Sequence, residues 1–265
     1  MRRSAISITL FSAFCMILVF TQMGFAGPEE GTIVAPQTGA KVKIDGNLDE
    51  WKLHLFTDEQ KIVLTKKTGF INSGGIDDDK DFSAVVYVMY DNENLYLAAE
   101  VTDDATEKGF AGGSNWQNDC IEIWIDGAGD DGTMTDRGGN DPDNYQYNID
   151  VNGSPYIYRN NDAAKLLAEM EAAASLQGTN YKLETRIPFT AIPELDLSKS
   201  RVIGFSVSFV DSDKGVWNHI LWQGEIEHEP TQWGDLEFLL EKLPVEPAGK
   251  LPAMWGEMKS DSSGS

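Results

Sequence analysis

The sequence predicts an all-β fold, an antiparallel β-sandwich of jelly-roll or immunoglobulin-like type that forms a single domain. Three observations carry that expectation. Apolar residues recur with period two over short runs. Turn-forming residues separate those runs at intervals, as in a sandwich. The chain has two cysteines, and Cys15 lies in a segment expected to be removed, so no intramolecular disulfide is available and a core must supply the stability.

The first stretch reads as an export signal rather than as part of the fold. Met1-Arg2-Arg3 gives a positive start, an apolar run follows from Ala5 to Phe20, and Gly24-Phe25-Ala26 places small residues at a cleavage point after Ala26. Bulky Phe14 before Cys15 argues against a lipoprotein anchor. Residues 1–26 are therefore the expected signal peptide, 27–40 a Gly/Pro/Thr-rich linker, 41–242 the folded domain and 243–265 a flexible tail. The mature protein is expected to be secreted, periplasmic or at the cell surface. No later segment reaches the ~20 apolar residues of a membrane span.

Element by element, residues 41–45 read as a short strand that turns at Gly46-Asn47. Residues 82–90 and 95–102 form a hairpin across Asp91-Asn92-Glu93-Asn94. Strands follow at 120–126, 145–151, 181–189, 202–210, 219–223 and 236–240. Residues 163–174 are rich in Ala, Leu, Glu and Met and favour a helix by propensity, although the surrounding pattern asks part of that segment to pair as a strand.

Charge narrows the partners. Without Arg2 and Arg3 the chain has 19 basic and 43 acidic residues, a net charge of −24. A surface of that sign repels nucleic acid and anionic lipid. Catalysis has little support either. His54, His219 and His228 lack metal-ligand spacing, no nucleophile motif is present, and among so many carboxylates a close pair is expected by chance.

Two strands present a more informative face. In 120–126, Ile121, Ile123 and Ile125 point to one side, with Cys120, Glu122 and Trp124 opposite. In 145–151, Tyr145, Tyr147, Ile149 and Val151 leave Gln146, Asn148 and Asp150 on the other side. That polar face is either a solvated outer sheet or a sugar platform, where amides and carboxylates pair with hydroxyls and an indole stacks on the ring's C–H face. Trp116 lies just ahead, after Gly112-Gly113-Ser114-Asn115, and is either a core plug or a displayed binding surface.

Six segments together resemble family 9 carbohydrate-binding modules. They are IDGNLDEW at 44–51, LYLAAEVTDD at 95–104, NWQNDCIEIWIDG at 115–127, YKLETRIPF at 181–189, IGFSVSFVDSD at 203–213 and WGDLEF at 233–238. The resemblance implies a β-sandwich that binds sugar and supports extracellular polysaccharide breakdown beside a glycoside hydrolase or a cell-surface component. Trp116 matches the family's slot tryptophan, Glu122 its sugar-binding carboxylate and Gln146 the first residue of a Gln-x-Arg pair. Asn148 stands where that arginine would be. The second slot tryptophan has no counterpart in 225–232, and Trp233 falls where the family has an aromatic core position, so the slot is half open or is closed by Trp233, Trp217 or His228. The expected carbohydrate site is thus Trp116, Glu122, Gln146, Asn148 and Trp233.

The resemblance also implies structural calcium. Asp126, Asp130, Asp131, Asp136, Asp141 and Asp143 lie among glycines in a composition suited to a hard, oxygen-ligated cation. Asp126, Asp130, Asp131, Asp141 and Asp143 are the expected ligands. Asp77, Asp78, Asp79 and Asp81 form a second acidic cluster, and Asp103-Asp104 a third. Two other readings stay open. One is a haem-binding electron-transfer domain of related sandwich fold, with Met89 as the best-placed axial ligand. The other is a surface interaction module.

Overall fold

The computed structural model describes residues 31–129, 143–159, 163–213, 215–225 and 228–243. The expected signal peptide and nearly all of the expected tail lie outside those residues. Among the described residues, thirteen strands join in one hydrogen-bonded network that folds into two facing layers. The strands are β1 (Thr32–Gln37), β2 (Lys61–Leu64), β3 (Phe70–Ser73), β4 (Phe82–Tyr90), β5 (Asn94–Asp103), β6 (Cys120–Asp126) and β7 (Asn144–Asp150), followed by β8 (Pro155–Arg159), β9 (Glu171–Gln177), β10 (Asn180–Pro188), β11 (Val202–Asp213), β12 (Val216–Leu221) and β13 (Gly234–Lys242).

One layer runs β3-β12-β11-β6-β7-β8, and the other β2-β4-β5-β10-β9, with antiparallel neighbours throughout. Strand β11 is long enough to serve two partners: residues 202–205 pair with β13 and residues 208–213 with β12. Strand β1 bridges the layers, parallel to β13 and, at Gln37, to β4. Its register with β13 breaks between Ala35 and Gln37, where Pro36 has no N–H to give the ladder. The β1 pairing corrects the expectation of a linker over residues 27–40.

Period two decides which side chains meet. Ile121, Ile123 and Ile125 of β6, Tyr147 and Ile149 of β7, and Phe205, Val207 and Phe209 of β11 face inward. They share one core with Val86, Val88, Leu97, Ala99 and Leu183 of the opposite layer. Phe82 and Phe209 close the gap with ring centroids 5.3 Å apart. Each large apolar side chain so buried contributes about 1.5–3 kcal/mol.

A second cluster lies on the outer face of β4 and β5, where Trp51 and Phe56 pack with Tyr87, Met89 and Tyr96. The expected strand at 41–45 is absent; the segment forms no ladder. Glu184 on β10 holds it, accepting the backbone N–H groups of Asp45 and Gly46 and the Trp51 indole N–H at 3.0 Å. Gly46 has φ +82, and a Cβ there would meet the Ala174 carbonyl oxygen at 2.8 Å, so only glycine fits. Met89, the candidate haem ligand of the alternative reading, is buried core filling within this cluster. The ambiguous segment 163–174 divides between its two tendencies: a helix, α1 (Ala163–Glu169), runs directly into β9. Among the described residues no helix is long and apolar enough to cross a membrane.

Candidate functional site

The outward face of the β6 layer is polar at its centre. In antiparallel pairs opposite residues share a face, and Glu122 stands opposite Asn148 on one side and Ser208 on the other. Trp124 lies opposite Gln146, and Val210 opposite His219. The residues expected on this face from alternation are on it.

Glu122 is the hub. One carboxylate oxygen accepts from Gln146 Nε2 at 3.2 Å and Asn148 Nδ2 at 3.0 Å. The other accepts from Ser208 Oγ at 2.8 Å and faces His219 Nε2 at 3.0 Å. Burial pushes the Glu122 pKa upward, but the hydrogen bond and charge of His219, with Ser208 and Asn148, outweigh it and hold the group below the usual glutamate value. The carboxylate is therefore ionised and acceptor-only at neutral pH. Three atoms around it have no protein partner: Asn148 Oδ1, His219 Nδ1 and Trp217 Nε1.

The aromatic part comes from the turn before β6 and from the start of β12. Trp116 sits in a turn of 3-10 helix over Gly112–Gln117 and is 38% exposed. Buried Asn115 fixes that turn, donating to the Ser154 carbonyl at 3.2 Å and accepting from the Tyr158 hydroxyl at 2.9 Å. Asn118 closes it, donating to Asp150 at 2.7 Å and to the Phe110 carbonyl at 2.9 Å. Of the two sequence alternatives for Trp116, the half-exposed surface position is the one observed. Trp217, at the start of β12, stands 6.1 Å from Trp116 with ring planes 87° apart, and lies across His219 at 5.0 Å.

Trp233 differs from its expected place. It is 3% exposed and packs on Trp124 at 5.9 Å, while His228 meets Trp124 at 5.1 Å. Trp124 in turn donates its indole N–H to Ser208 at 3.0 Å. Trp233 is thus a packing residue behind the polar floor, and Trp217 is the aromatic beside Trp116. Trp217 is among the sequence's candidates for closing the slot, but the expected strand begins only at residue 219; β12 begins at Val216 and so puts Trp217 and His219 at alternating positions of one strand.

Among the described residues the carboxylates converge at two places, which draw on the second and third acidic clusters of the sequence. Asp130, Asp131, Asp136 and Asp141 lie outside the described residues. Asp126 and Asp143 are buried, and Asp126 accepts the Gly129 N–H at 2.8 Å. Among the described residues, the carboxylates that converge are Asp103, Asp119 and Asp211, all buried, and next Asp81, Asp104 and Asp213. In each triad one oxygen per residue lies within 4.8 Å of the others. Burial and then the Asp119 charge push Asp103 up to about 8. Burial above all, with the charges of neighbouring aspartates, pushes Asp119 up to about 7 and Asp211 to about 8. Asp103 Oδ2, Asp211 Oδ1 and the buried Tyr181 hydroxyl have no protein partner, and the Tyr181 pKa is raised by burial and then by the charges of Asp119 and Asp103. An all-oxygen, acceptor-rich cluster with orphaned buried atoms fits a hard divalent cation.

A family described as carbohydrate family 9 binding domain-like matches residues 44–239. The chain belongs to that family. Exoglucanase XynX of Acetivibrio thermocellus is 27% identical to it over 64% of the chain, and endo-1,4-beta-xylanase A of Thermotoga neapolitana 27% over 79%. The matches span only 13% and 18% of those two proteins. Two solved family 9 modules from Caldicellulosiruptor kristjanssonii, in complex with cellotriose and with glucose, superpose with TM-scores of 0.58 and 0.59. They are 17% and 18% identical to the chain, and each alignment covers 82% of it and 100% of the solved module. At that identity the superposition establishes a shared fold. The fold expected of the sequence, an all-β sandwich, and the resemblance to this family both hold.

Proposed function

We propose that this carbohydrate-binding module recognises a β-linked gluco-oligosaccharide or a related neutral glycan on the outward face of the β6 layer, and that it acts without catalysis. The observation that carries this reading is the ionised Glu122, held by Gln146 and Asn148 and linked through His219 and Trp217 to the half-exposed Trp116. Carboxylate and amide groups pair with sugar hydroxyls, and the indole takes the C–H face of a ring. The cellotriose and glucose in the superposed modules favour glucose units over other sugars. The named relatives are polysaccharide hydrolases, which supports a role in holding such an enzyme, or a cell surface, on its polysaccharide.

Export belongs to the same proposal. Residues 1–26 supply the signal, and the exported protein should begin at Gly27; an intact Met1 on exported material would contradict this. The cation is proposed at Asp103, Asp119 and Asp211, with Asp81, Asp104 and Asp213 alongside. Calcium would supply charge neutralisation and tie together the ends of β5, β6 and β11. A glycan array probed with the mature chain, with calcium and with chelator, tests the reading. Binding to β-glucan oligosaccharides is expected, and no binding to any neutral glycan in either condition would overturn it.

A further inference from the structure

We infer that the cation centre and the sugar site are coupled: Asp119 and Asp211, drawn together by a divalent cation, set the positions of Trp116 and Trp217, so that cation and sugar each tighten the binding of the other. The inference rests on the proposed sugar and cation readings and adds the regulation that joins them.

The two sites occupy different parts of the sandwich. Asp103, Tyr181 and Asp211 continue the inward-facing alternation of β5, β10 and β11, and Asp119 stands one residue before β6 on the same parity as Ile121. The cluster therefore closes one end of the core between the layers, whereas Glu122 faces outward. Each of the three carboxylates brings an oxygen within 4.8 Å of the others. Asp103 Oδ2, Asp211 Oδ1 and the Tyr181 hydroxyl have no protein partner, although all three residues are buried. Orphaned oxygens at that depth ask for a ligand. Carboxylates so close repel one another, and a divalent cation turns that repulsion into shared attraction.

Each of the two strand-end aspartates is tied to one tryptophan. Asp119 accepts the Glu107 N–H and the Ser212 N–H, both at 2.7 Å, and its own N–H donates to the Glu107 carbonyl at 3.0 Å. Its buried neighbour Asn118 accepts from the Phe110 N–H and donates to the Phe110 carbonyl, both at 2.9 Å. These bonds fasten the loop from Glu107 to Asn118 in which Trp116 sits. On the other side, Asp211 lies opposite Asn218, the residue between Trp217 and His219, and accepts from its Nδ2 at 3.1 Å. Ser212, whose N–H binds Asp119, lies opposite Trp217 itself. A continuous path of backbone and hydrogen bonds thus runs from Trp116 through Asn118 and Asp119 to Ser212, Asp211 and Trp217. Such contiguous contacts can carry energetic coupling. The two rings they hold stand 6.1 Å apart, so a displacement at the carboxylates changes the aromatic surface offered to a sugar.

Calorimetry of the mature chain tests the coupling in both directions. Cellotriose is titrated in calcium and in chelator. Calcium is titrated into the calcium-free chain with and without cellotriose, at a temperature where circular dichroism shows both forms folded. Cellotriose affinity should rise roughly tenfold with calcium, and calcium affinity by the same factor with cellotriose, because linkage is reciprocal. Asn118→Ala leaves every carboxylate in place; it should still bind calcium and lose most of that factor. Equal cellotriose affinity in calcium and chelator overturns the inference, as does a chain that binds no calcium or an Asn118→Ala variant that keeps the full factor. A chain that folds only with calcium overturns it too, since the cation would then serve folding alone. Wild type that binds no sugar in either condition overturns the sugar reading as well. If Asn118→Ala fails to fold, fluorine spectra of wild type labelled with fluorotryptophan decide. The resonances assigned to Trp116 and Trp217 by their absence from Trp116→Phe and Trp217→Phe should both shift when calcium is added without sugar, and unmoved resonances overturn the inference.

Discussion

Glu122 shows how one residue organises both stability and recognition. It is a buried ion, costly on its own, and it persists because four side-chain contacts, that of His219 among them, compensate its desolvation. Glu122→Gln preserves shape but turns an N–H donor toward existing donors. It should cost about 1–3 kcal/mol of stability and weaken sugar binding, both read from thermal melts and calorimetry on the same preparation; unchanged melts and affinity would remove Glu122 from the hub. Trp233 is the contrasting case. Trp233 is buried against Trp124, so its replacement by Ala should cost about 3–5 kcal/mol in denaturant unfolding, and an unaltered unfolding curve would return Trp233 to the candidates for closing the slot. The difference between exposed Trp116 and buried Trp233 was not settled by the sequence. Alternation placed Glu122, Gln146 and Asn148 on one face because a strand's side chains have a fixed period. No such rule governs the loop holding Trp116, and its meeting with Trp217 depends on β6 pairing with β11 and β11 with β12.

At the scale of elements, the hairpins were the easiest to read and β1 the hardest. β4 and β5 pair across a four-residue turn rich in Asp and Asn, which local sequence declares. β1 pairs in parallel with β13, far along the chain, and contains Pro36, so its composition reads as linker and its partner is not local. Its contribution is testable by truncation. A chain starting at residue 41 loses the strand that bridges the layers, exposing Ile33 and Ala35's core positions, and should melt at lower temperature with reduced cooperativity by circular dichroism. A melting curve matching the chain from Gly27 would show β1 to be dispensable. Segment 163–174 carries the opposite lesson: propensity and pattern each describe half of it, α1 the first and β9 the second.

The whole molecule is acidic, and its acidic residues do unequal work. Asp103, Asp119 and Asp211 come from three separate strand ends, and only the fold brings them together; the glycine-rich loop that drew attention by composition could not reveal them. Their carboxyls have a reference pKa of 3.8, raised in the folded state to about 8, 7 and 8. With a raised folded pKa, the stability they contribute is present below about pH 4 and lost as pH rises through roughly 7 to 8. In chelator the melting temperature should therefore fall across that window. Calcium favours the ionised forms and should remove the fall, adding about 2.7 kcal/mol at a hundredfold excess over its dissociation constant; identical melting curves with calcium and chelator would contradict a cation there. The claim on which all scales converge is that the sugar lies on Trp116 above the Glu122 floor. Calorimetry of wild type and Trp116→Ala with cellotriose measures it most directly. Because Trp116 is 38% exposed, the variant should keep its melting temperature while affinity falls roughly ten- to hundredfold, by analogy with aromatic stacking of about 1–3 kcal/mol. A variant that folds normally and binds cellotriose as tightly as wild type would contradict the account.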